Sequence, residues 1–304
     1  MYIINKKPKD INNFKYNSYY FKRARDAFAF ILNLHFKNRK ILIPAYIGYS
    51  EKEGSGVFDP IKQVGIDYKF YRLKKNLEIN KEFLIELMGK NPESVLLLIH
   101  YFGFKDKNIN EIKKYALANK IMIIEDFAHA FFTFYLNPII DFDYAFFSLH
   151  KMFPFNSGGL LISKNILNYK KNYYYNPFDY NIHEIIQKRI SNYDFLYKQI
   201  IEISNIQILR KSIFNQIPQT FPILLPSKDI RNYSYFHLNE CGFGVVSLYH
   251  TLIKEIPKNY ITERYISDHI LNLPIHQDAR SKNLKKLANE IKSILEKGDR
   301  IKYG

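Results

Sequence analysis

Residues 121–163, IMIIEDFAHAFFTFYLNPIIDFDYAFFSLHKMFPFNSGGLLIS, carry the side chains best suited to chemistry. Asp126 closes the apolar run IMII; Ser148, His150 and Lys151 follow a second run as SLHK; Gly158 and Gly159 then open a third. A carboxylate and an amine at the ends of successive buried strands are what pyridoxal phosphate chemistry needs. The lysine bonds the cofactor's aldehyde, and the aspartate pairs with its pyridinium nitrogen so that the ring can accept electrons. A lysine buried beside other cations also loses proton affinity and becomes a nucleophile. Ser148 can donate to a phosphate, and His150 can contact the cofactor or its phosphate. Taken alone, Asp126 also fits the common role of a helix cap, and a lysine placed like Lys151 is usually a solvated surface residue.

Other candidates surround this cluster. His129 is either a structural histidine or a group that faces the same cofactor. His100, at the end of VLLLIH, reads as structural. A metal site built from His100, His129 and His150 lacks the spacing that metal ligands show. Arg23, Arg25 and Asp26 begin a stretch of helical periodicity over 21–36, and a helix N-terminus offers free amides and a positive dipole end to a phosphate. For Arg23 a solvated charged face is an equal reading.

The elements that must position these residues follow from the apolar pattern. Helical spacing marks residues 21–36, 81–88 and 108–119; short apolar runs mark strands at 41–44, 68–73, 95–100, 121–126, 144–148 and 159–163. Residues 53–57, EGSGV, read as a flexible loop. Strands alternating with helices predict an α/β architecture with a mostly parallel sheet, and ligands gather at the carboxyl ends of such strands. His100, Asp126 and Ser148 all fall there. Beyond residue 165 the texture changes: a loop rich in Asn and Tyr over 168–181, a long helical stretch over 183–209, a proline-rich extended connection over 217–226, and a terminal amphipathic helix over 284–296. The division expected is a large cofactor-binding domain over 1–180 and a smaller C-terminal α+β domain over 181–304.

Composition sets the outer bounds. A chain of 304 residues with 47% hydrophobic content buries a substantial core and is not disordered. One cysteine, Cys241, rules out an internal disulfide framework and fits a reducing, cytoplasmic setting. The start MYIINKKPKD has no apolar signal segment, and no run approaches a membrane span. The net charge of +16 is spread along the chain without a nucleic-acid recognition motif; a positive field suits a phosphorylated cofactor and a nucleotide-linked substrate.

The segments RARDAF, IPAYIGYS, LLLIHYFG, IIEDFAHA, FFSLHK with SGGLL, and LNLPIHQD together resemble the DegT/DnrJ/EryC1/StrS family of pyridoxal phosphate-dependent sugar aminotransferases, over most of the chain. The resemblance implies fold type I, a homodimer, and transfer of an amino group from an amino acid to a nucleotide-linked keto-sugar. It implies Asp126 at the pyridine nitrogen, His129 near the ring hydroxyl, Ser148 and the backbone around Ala24 and Arg25 at the phosphate, and Lys151 bonded to the cofactor. Tyr46 or Tyr49 would stack on the ring, with Tyr49 taken as the site residue. The chain departs from the family in several places. Two residues rather than four separate Ser148 from Lys151, the glycine loop is shortened, the Asn-Tyr-Arg-Met motif is not evident, and the C-terminal half is short. A lyase or dehydratase on the same fold, and a non-catalytic polyanion-binding protein, are the alternatives.

Overall fold

Runs such as VLLLI and YAFFS can leave neither face in water, so each becomes an inner strand covered on both sides. The computed structural model describes residues 16–170, 173 and 175–303, with side chains through residue 297. The N-terminal segment read above, and positions 171, 172 and 174 of the 168–181 loop, lie outside the described residues. In chain order, β1 (Asn17–Phe21) leads to α1 (Ala24–His35), β2 (Ile41–Pro44), α2 (Phe58–Val64), β3 (Tyr68–Tyr71) and α3 (Lys81–Gly89). Then follow β4 (Val95–Ile99), α4 (Ile109–Ala118), β5 (Met122–Asp126), α5 (Phe131–Leu136), β6 (Tyr144–Ser148) and β7 (Gly159–Ser163).

Among the described residues these strands form a seven-stranded sheet of order β1-β7-β6-β5-β4-β2-β3. The five from β3 to β6 run parallel, and β7 and β1 close one edge antiparallel. Successive residues alternate between faces. Val95, Leu97, Ile124, Phe146 and Leu161 pack with Phe28 and Ile31 of α1, while Leu96, Leu98, Ile123, Phe147 and Leu160 pack with Leu84 and Ile112 of the opposite layer. Each such buried side chain contributes roughly 1.5–3 kcal/mol. The mostly parallel α/β architecture expected from the sequence is the one found.

Two expectations are corrected here. The helix expected from residue 21 begins at Ala24, because Phe21 is the last residue of β1 and pairs with Gly159. The helical stretch expected over 183–209 is α6 (Ile182–Ile200) alone, capped by the Asn181 side chain, and residues 207–208 are instead strand β8 (Gln207–Ile208).

The proline-rich connection is extended as expected, and within it β9 (Thr220–Leu224) is the middle strand of a second sheet, β10-β9-β8, with β10 (Ile270–Pro274). Pro222 survives there because of where its missing N–H falls. Asn272, opposite it, exchanges both backbone hydrogen bonds with Val246 instead, so the vacancy faces β8, which has already ended; the Pro222 carbonyl accepts from Leu209 N at 3.2 Å. Helices α7 (Lys228–Glu240), α8 (Ile261–His269) and α9 (Ser281–Tyr303) complete the chain. Leu284, Leu287, Ile291 and Ile294 of α9 are buried, on the side the sequence marks as apolar.

The feature that positions the site is the glycine pair. Gly158 N donates to Lys22 O at 2.8 Å, and Leu149 N donates to Gly158 O at 2.9 Å. A Cβ on Gly159 would stand 2.4 Å from the carbonyl carbon and oxygen of Arg23 and 2.7 Å from Ala24 N. The start of α1 therefore rests directly on the backbone of β7. Gly159→Ala should destabilise by about 2 kcal/mol. Gly89→Ala, whose Cβ would meet only the Tyr115 hydroxyl at 3.4 Å, should be neutral or slightly stabilising. Urea unfolding of the two variants beside the wild type checks the contrast.

Candidate active site

Strands β5 and β6 end side by side and deliver Asp126 and Ser148 to the same sheet edge. Asp126 is buried, and its Oδ1 accepts from Ala128 N at 2.7 Å across the tight turn that follows the strand. Burial pushes its carboxyl up to about 6, against the pull of the Ala128 amide and the Lys151 amine. Glu125 points to the other sheet face and meets different surroundings. It accepts from His100 Nε2 at 2.6 Å and pairs with the buried Lys113. Burial alone would raise Glu125, but His100 and Lys113 together hold it below its ordinary value. His100, stacked on Phe127 at 4.2 Å, is thus a buried structural group, as its sequence position suggests.

His129 occupies the turn after Asp126, buried, with its Nε2 2.8 Å from Lys151 Nζ. Phe102 N donates to the other ring nitrogen at 3.5 Å. A neutral imidazole accepts at one nitrogen only, so both contacts are satisfied when Nε2 carries the proton and the Lys151 amine receives it. The electrostatics agree. Burial and the neighbouring Lys151 charge hold His129 well below its ordinary value, and burial of the amine end lowers Lys151 despite the attraction of Asp126 and Glu53. The Lys151 residue as a whole is exposed, so its stem is open to solvent while its amine reaches inward.

Lys151 arrives there through a single 3-10 turn, residues Leu149–Lys151. Three residues per turn set position 151 one turn above Ser148, so the short spacing still stacks the two. Ser148 is buried, and its Oγ lies 3.3 Å from Nδ1 of the exposed His150. On the other side of Gly159 stands the first turn of α1, with the Ala24 and Arg25 amides that no residue earlier in the helix can accept from. The Arg25 guanidinium donates to Glu53 O at 2.6 Å and ties down the 50–57 segment, which is closed by paired hydrogen bonds between Ser50 and Gly54. The Arg23 side chain pairs with Asp26 at 3.0 Å on the surface, the solvated reading of that residue.

The structure thus brings together Asp126, His129, Ser148, His150 and Lys151 with the backbone of Ala24 and Arg25. Tyr49 stands apart: it is 44% exposed and, among the described residues, joins no ring contact; Tyr46 is fully buried. Phe102 stacks on His129 at 5.9 Å, and a second ring beside the histidine, tilted at 5.8 Å, is that of Tyr249. Nothing in the local sequence SLYHTL marks it, since it reaches the site only through the return of the chain from the second sheet.

No family model matches the chain, and no curated protein matches it. Solved structures do. PseC of Helicobacter pylori, described as an aminotransferase involved in the biosynthesis of pseudoaminic acid, superposes with a TM-score of 0.73 at 14% identity over 92% of this chain and 87% of that one. The chain has an aminotransferase fold. Spr1654 of Streptococcus pneumoniae, a putative sugar aminotransferase in its PMP form, gives 0.72 at 15% identity over 94% and 88%. A DegT DnrJ EryC1 StrS aminotransferase of Brucella abortus gives 0.71 at 13% over 91% and 85%. The fold type I architecture expected from the motifs is therefore present across nearly the whole length of these proteins.

The raised Asp126 carboxyl has a measurable consequence. Its unfolded value lies near 3.8 and its folded value near 6, so the native state binds the extra proton between them and stability falls as pH rises through that window. Relative to Asp126→Asn, the cofactor-free wild type should lose about 2 kcal/mol between about pH 4 and pH 7. This sign is opposite to that of an ion-paired carboxylate, and denaturant unfolding of both proteins across the range tests it.

Proposed function

We propose that the protein is a pyridoxal phosphate-dependent aminotransferase. In this reading it acts as a cytoplasmic homodimer and moves an amino group from an amino acid to a nucleotide-linked keto-sugar, in amino-sugar or surface-polysaccharide biosynthesis. The observation that carries the proposal is the inward-turned Lys151 amine, hydrogen-bonded to His129 and attracted by the buried Asp126, beside a helix N-terminus that Gly159 lets approach. The donor set fits the cofactor: an acid for a pyridine nitrogen, an amine for an aldehyde, and free amides with a hydroxyl for a phosphate. A metal-centred alternative finds less support, because His100, His129 and His150 each face a different partner.

In this arrangement Ala24 and Arg25 amides would hold the phosphate with Ser148 and His150. Asp126 would keep a proton on the pyridine nitrogen, and that charge would restore the aspartate's own ionised state. When bound, pyridoxal phosphate supplies an aldehyde and an electron-accepting ring. Lys151, whose proton affinity burial lowers and whose Nζ lies 2.8 Å from His129 Nε2, would attack at its Nζ and later carry a proton between neighbouring carbons of the substrate. The sugar-linked substrate is supported by the likeness to PseC and Spr1654 and by the +16 net charge, which favours diphosphate-bearing ligands. His150 and Lys151 are exposed, and a second copy of the chain would complete the site on that side. Among the described residues no helix is long and apolar enough to cross a membrane.

Protein incubated with pyridoxal phosphate should gain a visible absorption band, and borohydride should fix the label on the peptide containing Lys151. Lys151→Ala should lose both and lower transamination by roughly 10²–10⁴-fold or more. Addition of an amino acid should discharge the band and release the matching keto acid, an outcome that a lyase or dehydratase would not give. A protein that stays colourless, or one labelled equally in Lys151→Ala, overturns the proposal.

A further inference from the structure

Tyr249 lies between α7 and α8, in a segment that crosses from the second sheet to the carboxyl edge of the first. Its ring packs 5.8 Å from His129, 5.3 Å from Tyr46, 5.6 Å from Tyr101 and 6.1 Å from Phe102. Tyr46, Tyr101 and Phe102 are buried and spend their ring faces on protein. Tyr249 is only half-buried, so within this group it retains accessible surface, and it stands close to both His129 and Asp126. Room for the ring exists because residue 48 is glycine. A Cβ there would stand 2.4 Å from Tyr249 Cδ1 and 3.2 Å from its Cα.

The backbone at Tyr249 is strained, with φ of +61°. For a residue with a Cβ this left-handed conformation costs about 1–2 kcal/mol, and it persists only where the surroundings impose it. Here they do so from both sheets. Tyr49 N donates to Thr251 O at 2.9 Å and Ile253 N to Ile47 O at 3.0 Å, which fastens the segment to the residues after β2. Ser267 Oγ donates to Tyr249 O at 2.8 Å, and Leu248 N donates to Asn272 Oδ1 at 3.1 Å, which fastens it to α8 and β10. An aromatic ring held in an unfavourable conformation against His129, over a glycine that makes space for it, has the marks of a positioned group.

We propose that Tyr249 covers one face of the cofactor's pyridine ring, so that the C-terminal half of the chain supplies the stacking surface which the buried Tyr46 and the outlying Tyr49 leave open. The proposal rests on pyridoxal phosphate being the ligand. Burial and the nearby Asp126 keep the phenol protonated, so the ring presents a neutral face.

Titration with pyridoxal phosphate, followed by visible absorption and visible circular dichroism, tests it. Tyr249→Asn is the informative variant, because asparagine tolerates positive φ and keeps the backbone while deleting the ring; its thermal unfolding confirms that it folds. The Kd for pyridoxal phosphate should rise about three- to tenfold in Tyr249→Asn, with loss of most of the visible dichroism, and stay within about twofold of wild type in Tyr249→Phe. A folded Tyr249→Asn with wild-type Kd and dichroism overturns the assignment, as does a Tyr249→Phe as weak as Tyr249→Asn. A wild type that takes up no pyridoxal phosphate overturns the cofactor reading itself, which separates the two failures.

Discussion

The close approach of two backbones at Gly159 is the constraint on which the site depends. Because nothing projects from that residue, the carbonyl of Arg23 and the amide of Ala24 can lie against β7 at distances no other residue type would permit. The pairing of Phe21 with Gly159, and of Gly159 with Ser148, then puts the first turn of α1 and the SLHK turn on either side of one strand. The first turn of α1 and the turn that carries Lys151 become neighbours although more than a hundred residues of chain separate them. The shortened distance from Ser148 to Lys151 is absorbed by the 3-10 turn, so the spacing that sets this chain apart from its resemblance changes the local backbone without dispersing the cluster.

Strand geometry also explains how two adjacent carboxylates acquire opposite characters. Glu125 and Asp126 are consecutive on β5 and so face opposite sides of the sheet. Glu125 enters a closed group with His100 and Lys113, where partners compensate for burial. Asp126 has one backbone amide and a more distant amine, and burial prevails. A buried ion pair of the first kind is weak evidence for stability, since desolvation offsets much of its attraction. Its visible effect is to hold the end of β5 and the turn after it, from which Asp126 and His129 project. The second carboxylate is left under-compensated and therefore receptive to a cation.

Much of the large sheet was legible in the sequence because its inner strands are apolar on both faces. The runs at 41–44, 144–148 and 159–163 coincide with strands to the residue. β1 escaped notice because NSYYF is an edge strand, half-buried and without a clean pattern. The extent of β9 within its extended segment was hidden by Pro222, which is tolerated only because β8 stops one residue short. The cluster of Asp126, His129, Ser148, His150 and Lys151 could be read since each member sits at or just beyond a strand end. Tyr249 could not: a strained tyrosine against a distant glycine is a tertiary fact, with Gly48 in IPAYIGYS as its one faint local sign.

The path of the 247–253 segment also bears on the order in which the protein becomes competent. Every charged member of the cluster has been synthesised once residue 151 is made, yet Tyr249 lies about a hundred residues further on, in a segment fastened to Asn272, later still. At ordinary rates of translation that interval lasts on the order of 5–20 seconds. During it, the contacts that Tyr249 makes with His129 and that Leu248 makes with Asn272 cannot form. The cluster is complete only after the second sheet has formed, so its assembly reports on the folding of the whole chain.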